Sequence, residues 1–222
     1  MKDYIKIGIE KNLISFNEDM SRITYVFQNK ERNFNNPEEK VQAETFLRLI
    51  LDYKYPESRI KQFVPVTMGR GIKEADIIVY EEDMCLRPHI LVECKRQEVS
   101  EAEYQQAIEQ AYSYAFALPC EVKYVWVTSG IKSDYFEVDK NQNTRNQMPD
   151  IPQFGVKDVA SYKYVYEAQY LPEEAGKQRF FDLAVIDQSE LTRRFKQAHE
   201  ALWAGGQLNP SEAFDELDKL IF

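Results

Sequence analysis

Cysteine and histidine are scarce in these 222 residues: Cys85, Cys94 and Cys120 are odd in number and far apart, and the histidines are His89 and His199 alone. Three scattered thiols match neither a disulfide framework nor a zinc-ligand spacing. Two histidines leave no material for a His-rich metal centre or a His-based catalytic triad. No apolar run approaches the roughly 18 residues of a membrane-spanning helix. The opening MKDYIKIGIE has no apolar signal region, so a cytoplasmic location is expected. The phosphate-binding pattern G-x-x-x-x-G-K-[ST] is missing, so any nucleotide-driven motor lies elsewhere or is absent. Cations are in deficit too: 28 Lys and Arg against 37 Asp and Glu leave a net charge of −9. That sign argues against a dedicated nucleic-acid-binding module, and the chain alone is expected to bind DNA weakly.

What is present suits a soluble globular protein of one or two domains, since 44% of residues are hydrophobic and supply ample core. The chain is organised around Ala75 to Lys95. There ADIIVY and HILVECK each read as a buried strand, separated by the polar turn Glu81 to Pro88. Asp76 begins the first run. Glu93 and Lys95 end the second, two residues apart and therefore on one face of the strand, with Cys94 turned to the opposite face as a small hydrophobe. A carboxylate beside an amine at the end of a buried strand is costly unless something uses both. With Asp76 on the neighbouring strand, three charged groups converge, enough to hold a divalent cation and an attacking water. A structural salt-bridge cluster is the plain alternative.

This Asp, hairpin, Glu-x-Lys pattern resembles the PD-(D/E)xK nuclease superfamily, with Ala75 standing where the pattern has proline. Around it, Asn36-Pro37-Glu38-Glu39-Lys40-Val41 opens a helix, Glu109-Gln110-Ala111-Tyr112-Ser113-Tyr114-Ala115 follows, and Val125-Trp126-Val127-Thr128-Ser129-Gly130 comes last. In that order these segments resemble the N-terminal nuclease domain of type I restriction endonuclease R subunits, from about Asn36 to Gly130. The resemblance implies a restriction-endonuclease-like α/β core, with a mixed central β-sheet flanked by helices. It implies a metal-dependent endonuclease of a restriction–modification system acting on double-stranded DNA. Asp76, Glu93 and the backbone carbonyl of Cys94 would then hold Mg²⁺ (or Mn²⁺), and Lys95 would orient the attacking water. Gln110 and Tyr114 match a Q-x-x-x-Y element that supports DNA handling. A first-helix acid, Glu39 or Glu44, would face the metal. Glu39 is favoured because it lies in the NPEEK segment, and a capping or solvated acid is the alternative.

Three regions follow from the chain in order. Residues 1–35 form an N-terminal β-hairpin extension, with strand-like runs at Leu13–Phe16 and Ile23–Phe27. Residues 36–180 form the nuclease domain, and 181–222 a helical extension or the start of a further domain. Asn36 as N-cap, Pro37 at the first position and Glu38 and Glu39 in the first turn start a helix that reaches about Tyr53. Ile60 to Val66 reads as a strand. It runs into the basic loop Gly69-Arg70-Gly71, where Arg70 and Lys73 are candidate phosphate contacts or simply a solvated turn. Ser100 with Glu103 is a capping box for a second helix. Val122 to Thr128 is then a parallel strand reached by a helical crossover, and Asp134 to Asp139 a further strand. Residues 140–155 read as a loop, Ser161 to Tyr170 as a tyrosine-rich edge strand, and Ser189 to Ala204 as a helix. LNPSEAFDELDKLIF resembles the opening helices of N-6 adenine DNA methylase subunits, so the chain is expected to be the amino-terminal part of a nuclease–methylase polypeptide. The expected partners are methylase, specificity or motor domains or subunits, and no membrane. A DNA-binding or assembly domain that keeps the fold without cleaving remains the alternative function, as do a subunit-docking module and a superfamily nuclease of repair or phage exclusion.

Overall fold

Short apolar runs bounded by turn residues make much of this chain extended, and one six-stranded sheet collects most of them. The computed structural model describes residues 2–69, 71–156, 164–165, 181–182, 188, 192–193 and 195–197. The chain divides into two units, 1–181 and 182–222. The first opens with helix α1 (Tyr4–Glu10) and the strands β1 (Ile14–Phe16), β2 (Arg22–Tyr25) and β3 (Lys30–Asn33). Next come helix α2 (Pro37–Leu51), then β4 (Ile60–Met68), β5 (Gly71–Tyr80), β6 (Pro88–Cys94), helix α3 (Glu101–Ala117), β7 (Tyr124–Thr128), β8 (Ser133–Asp139) and β9 (Thr144–Met148). The main sheet runs β4-β5-β6-β7-β8-β9, with β6 and β7 parallel and every other neighbouring pair antiparallel. The mixed sheet flanked by helices is as expected, and so is the parallel crossover through α3. Among the described residues no helix is long and apolar enough to cross a membrane.

Alternating side chains divide the sheet into two packed faces. Ile77, Val79, Ile90, Val92, Cys94, Tyr124 and Trp126 share one core with Val41, Phe46 and Leu47 of α2. Ile78, Leu91, Val125 and Val127 share the other with Tyr104, Ala107, Ala111 and Tyr114 of α3. Both helices start on the expected caps. The Asn36 side chain accepts from the Glu38 amide at 3.1 Å, and the Ser100–Glu103 capping box is closed from both sides. Beyond β9, residues 150–154 strap back across the end of α2. Tyr53 donates to Asp150 at 2.5 Å, Tyr55 to the Pro152 carbonyl at 2.9 Å, and the Phe154 amide to the Tyr53 carbonyl at 2.8 Å.

Several expectations need correction. Residues 1–35 are more than an edge hairpin: they carry a helix and a separate three-stranded antiparallel sheet, β1-β2-β3. α1 is held by Asp3, which accepts from the Lys6 amide, and by Gly8, where an added Cβ would stand 2.7 Å from Leu47. Strand β3, Lys-Glu-Arg-Asn, is half-buried to exposed along its length and carries no apolar alternation to betray it. The same holds for β9 (Thr-Arg-Asn-Gln-Met), an edge strand inside the stretch read as a loop. The Gly69 region closes a tight β4–β5 hairpin on the Met68–Gly71 pair, with Gly69 at φ +59°. Arg70 lies outside the described residues. Of the tyrosine-rich segment, Tyr164–Val165 is a short strand and the rest lies outside them as well. In the second unit Gln188, Thr192, Arg193 and residues 195–197 are helical, whereas LNPSEAFDELDKLIF lies outside the described residues.

Candidate active site

Asp76, Glu93 and Lys95 come together where β5 and β6 part. Ile77 pairs with Val92 as the outermost rung of that ladder. Beyond it the Cys94 amide donates to Asp76 Oδ2 at 2.6 Å, so a carboxylate takes the bond a strand backbone would have accepted. Lys95 Nζ donates to Glu93 Oε1 at 2.8 Å and lies 3.5 Å from Glu38 Oε1. The Lys95 amide in turn donates to the Thr128 carbonyl at the end of β7. On the α3 side, Gln110 Nε2 donates both to Glu93 Oε1 and to the Tyr114 hydroxyl, at 2.8 Å each. The expected i, i+4 pairing of Gln110 and Tyr114 therefore faces the Glu93 carboxylate directly.

The electrostatics follow from burial. The Glu93 side chain is 2% exposed. Its pKa is raised by that burial and by Glu38, against the opposing pull of Lys95. Asp76 is pushed well above the ordinary carboxylate range by burial and by Glu93, with the Cys94 amide and Lys95 resisting. Burial alone would lower Lys95, but Glu93, Glu38 and Asp76 outweigh it and carry its pKa upward. Cys94 is fully buried in the α2-side core, as its place between Glu93 and Lys95 implied.

The first-helix acid is the main revision. Glu39 turns into the core and accepts from the buried Tyr25 hydroxyl at 2.5 Å, while Glu44 lies where Arg48 and Asp3 set its surroundings. Glu38, one residue earlier, is the acid beside Lys95. Helical phase explains this: Glu38, Gln42 and Thr45 line one face of α2, and Glu39, Ala43 and Phe46 another. Gln42 was also missed. Its Nε2 donates to the Asp76 backbone carbonyl at 3.0 Å. The signal for both was a pair of polar residues at i and i+4 on a helix otherwise packed against a sheet. Lys73 is exposed on β5, three residues beyond Asp76 toward the hairpin tip, or about 10 Å along the strand.

Whether this set suits a divalent cation is tested by one buried atom. Glu93 Oε2 has no hydrogen-bond partner, although Oε1 accepts two. An orphaned buried carboxylate oxygen is costly, and a cation is what such an oxygen can serve. Among the described residues no group of three or more His, Cys, Asp or Glu side chains is gathered closely enough to hold a metal. The side-chain oxygens that the cluster offers are those of Asp76 and Glu93. Two carboxylates are a hard-oxygen set of the kind Mg²⁺ accepts, since that ion usually keeps several waters.

No curated protein matches the chain. Among solved structures it is similar to "the fragment structure of a putative HsdR subunit of a type I restriction enzyme from Vibrio vulnificus YJ016", at 18% identity and a TM-score of 0.34, over 54% of this chain and 22% of that one. This chain thus spans about a fifth of that subunit fragment. A family model described as type I restriction enzyme R protein N terminus (HSDR_N) matches residues 37–152, from the first residue of α2 through β9 to the strap that follows it. With just over half of its length so matched, and with the matched half carrying the Asp76–Glu93–Lys95 cluster, the chain belongs to the family of type I restriction enzyme R protein N-terminal domains.

Proposed function

We propose that this domain is a Mg²⁺-dependent endonuclease that hydrolyses DNA phosphodiester bonds as part of a restriction–modification system, at a site of the PD-(D/E)xK kind. The observation that carries the reading is the convergence of Asp76, Glu93 and Lys95 at the parting of β5 and β6, with Glu93 Oε2 left unpaired. Asp76, Glu93 and the Cys94 backbone carbonyl would hold the cation, with Glu38 as the nearest further acid. Mn²⁺ suits the same oxygens. A cation bound there supplies Lewis acidity and positive charge beside the scissile phosphate.

The chain's own groups do the rest. Gln110 and Lys95 both donate to Glu93 Oε1, which fixes the carboxylate and directs Oε2 to the ligand. Lys95, its pKa raised by Glu93 and Glu38 against burial, keeps its proton. It therefore acts at neutral pH as a hydrogen-bond donor and a fixed charge, orienting water and stabilising charge on the phosphate, and not as a general base. Gln110, Tyr114, Lys73 and Arg70 are proposed to steady the DNA. At a net charge of −9 the domain depends on methylase, specificity or motor partners in the cytoplasm to deliver the duplex. That same acidity favours a second reading, a non-cleaving assembly domain.

The test is nicking of supercoiled plasmid with Mg²⁺ or Mn²⁺ by the native chain, Asp76→Ala and Lys95→Ala, with metal binding followed by calorimetry. Metal-dependent nicking abolished by both substitutions supports the nuclease. A native chain that neither nicks nor binds metal overturns it in favour of the assembly domain.

A further inference from the structure

Asp76 sits at a double gap in the sheet. The β4–β5 ladder runs from Ile60–Val79 to Gln62–Ile77 and resumes at Val64–Ala75, passing over Phe63 and Asp76. The β5–β6 ladder goes no further than Ile77. Phe63, opposite Asp76, takes the left-handed conformation at φ +55°, which a bulky side chain adopts only when its surroundings impose it. Residues of β3 and of the turn before it pack against this point. The Arg32 guanidinium stands 3.5 Å from the Phe63 ring centroid, Lys30 Nζ donates to the Gln62 carbonyl at 2.5 Å, and Gln28 Oε1 accepts from the Gln62 amide at 3.0 Å. The strand's alternation breaks at the same point: Ala75 and Ile78, three apart, both pack on the α3 side. Asp76 is thus the residue of β5 between Gly71 and Val79 that has no strand partner on either side.

We propose that Gln42 is a positioning residue for Asp76, its side-chain amide standing in for the missing strand and so fixing where the carboxylate points. Gln42 is 3% exposed and donates to the Asp76 carbonyl at 3.0 Å. The carboxylate is tethered at its other end, where Oδ2 accepts from the Cys94 amide. Two tethers, one at the backbone and one at the side chain, leave Oδ1 as the oxygen without a hydrogen bond to the described residues. A buried glutamine is a poor choice for filling space when a methionine of like volume packs without a polar group to satisfy. The role rests on the nuclease reading for its purpose, but the tether itself does not.

The experiment uses the whole chain and Gln42→Met, which keeps the volume and removes the donor. A core variant of the same helix, Leu49→Ala, serves as a control that lowers the melting temperature at least as far. Calorimetry with Mn²⁺ reads metal affinity. Amide hydrogen exchange by NMR reads the Cys94 amide, whose protection reports the Asp76 carboxylate without any metal. Gln42→Met is expected to weaken Mn²⁺ binding by about tenfold, the scale on which groups that orient a ligand act. It is also expected to speed Cys94 exchange, whereas Leu49→Ala changes neither beyond its effect on global stability. Equal effects in both variants, or none in Gln42→Met, overturn the proposal. A native chain that binds no metal removes the nuclease reading, and the Cys94 amide alone then decides: protection lost in Gln42→Met supports the tether, and protection kept refutes it.

Discussion

Replacing Lys95 by methionine separates the two duties proposed for its ammonium, favouring the ionised form of Glu93 against burial and serving the reaction. The Lys95–Glu93 contact is 2.8 Å, with side chains 20% and 2% exposed. At an effective dielectric constant of about 20 the gross attraction is roughly 6 kcal/mol. Most of that offsets the cost of taking both groups out of water, and removing one partner of a buried pair typically costs about 3 to 5 kcal/mol. Gln110 still donates to Glu93 in the variant, and Lys95 keeps some contact with water, so about 2 to 3 kcal/mol is expected. For a chain of this size that is a fall in melting temperature of roughly 4 to 12 °C at pH 7.5. The sign with pH follows. Without Lys95 the folded-state pKa of Glu93 rises further above its unfolded value. The deficit is then greatest above that raised value and shrinks as acid protonates Glu93. Mg²⁺ at about a hundred times its Kd adds roughly 2.7 kcal/mol to any chain that binds it, so native and variant should both rise in melting temperature with the gap between them kept, while cleavage stays lost. The assay is thermal unfolding of native and variant chains at pH 5 and 7.5, with and without Mg²⁺. A deficit under about 0.5 kcal/mol, the size of an ordinary surface change, or one that is identical at both pH values, refutes the account of Lys95 as the group that keeps Glu93 charged.

Glu38→Gln should weaken Mg²⁺ binding and leave the melting temperature within a degree or two, while Tyr25→Phe, which strips Glu39 of its buried donor, should cost about 2 kcal/mol and leave metal binding alone; calorimetry and thermal melts on the two variants check this, and the reverse pattern would restore Glu39 as the site acid. Gln110→Leu removes a donor to Glu93 and should cut the cleavage rate more than it weakens DNA binding; equal losses in a nicking assay and a gel-shift assay would make DNA contact, and not the hold on Glu93, the main role of Gln110. Asp76 and Glu93 carry raised pKa values in the fold, so their contribution to metal-free stability is whole below the unfolded carboxylate pKa, near 4, and is lost as pH rises through their folded values. His89, lowered by burial, acts in the opposite sense, because its contribution is lost as pH falls below about 6.5. The difference between native and Asp76→Asn melting curves isolates the carboxylate: the variant should gain on the native chain as pH rises from 5 to 8, and a constant difference would contradict the buried pair.

The parts of this architecture that obey a simple period were legible in the sequence. Ile77–Val79, Ile90–Val92 and Val125–Val127 announce buried strands, Asn36 and Ser100 announce helix starts, and the two-residue spacing of Glu93 and Lys95 places both on one face. What escaped has no such period. β3 and β9 are polar on both sides, so nothing in Lys30–Asn33 or Thr144–Met148 distinguishes strand from loop. Choosing between Glu38 and Glu39 requires the phase of α2 against the sheet, which neighbouring elements set. The left-handed Phe63 is legible nowhere, because its neighbourhood is built by Arg32 and Lys30 of β3 and Gln28 of the turn before it, far away in sequence. The centre of the site could thus be read from its strands, and its supports could not.

The strap formed by residues 150–154 gives the domain a mechanical layout. Tyr53 and Tyr55 bind that strap just past the last turn of α2, and Glu38 and Gln42 stand at the first turns of the same helix. A fifteen-residue helix is a rod of about 22 Å. Helix α2 therefore joins the strap at one end to the Asp76 backbone and the Lys95 ammonium at the other, so the Asp76–Glu93–Lys95 cluster and residues 150–154 are set in register by a single rigid element.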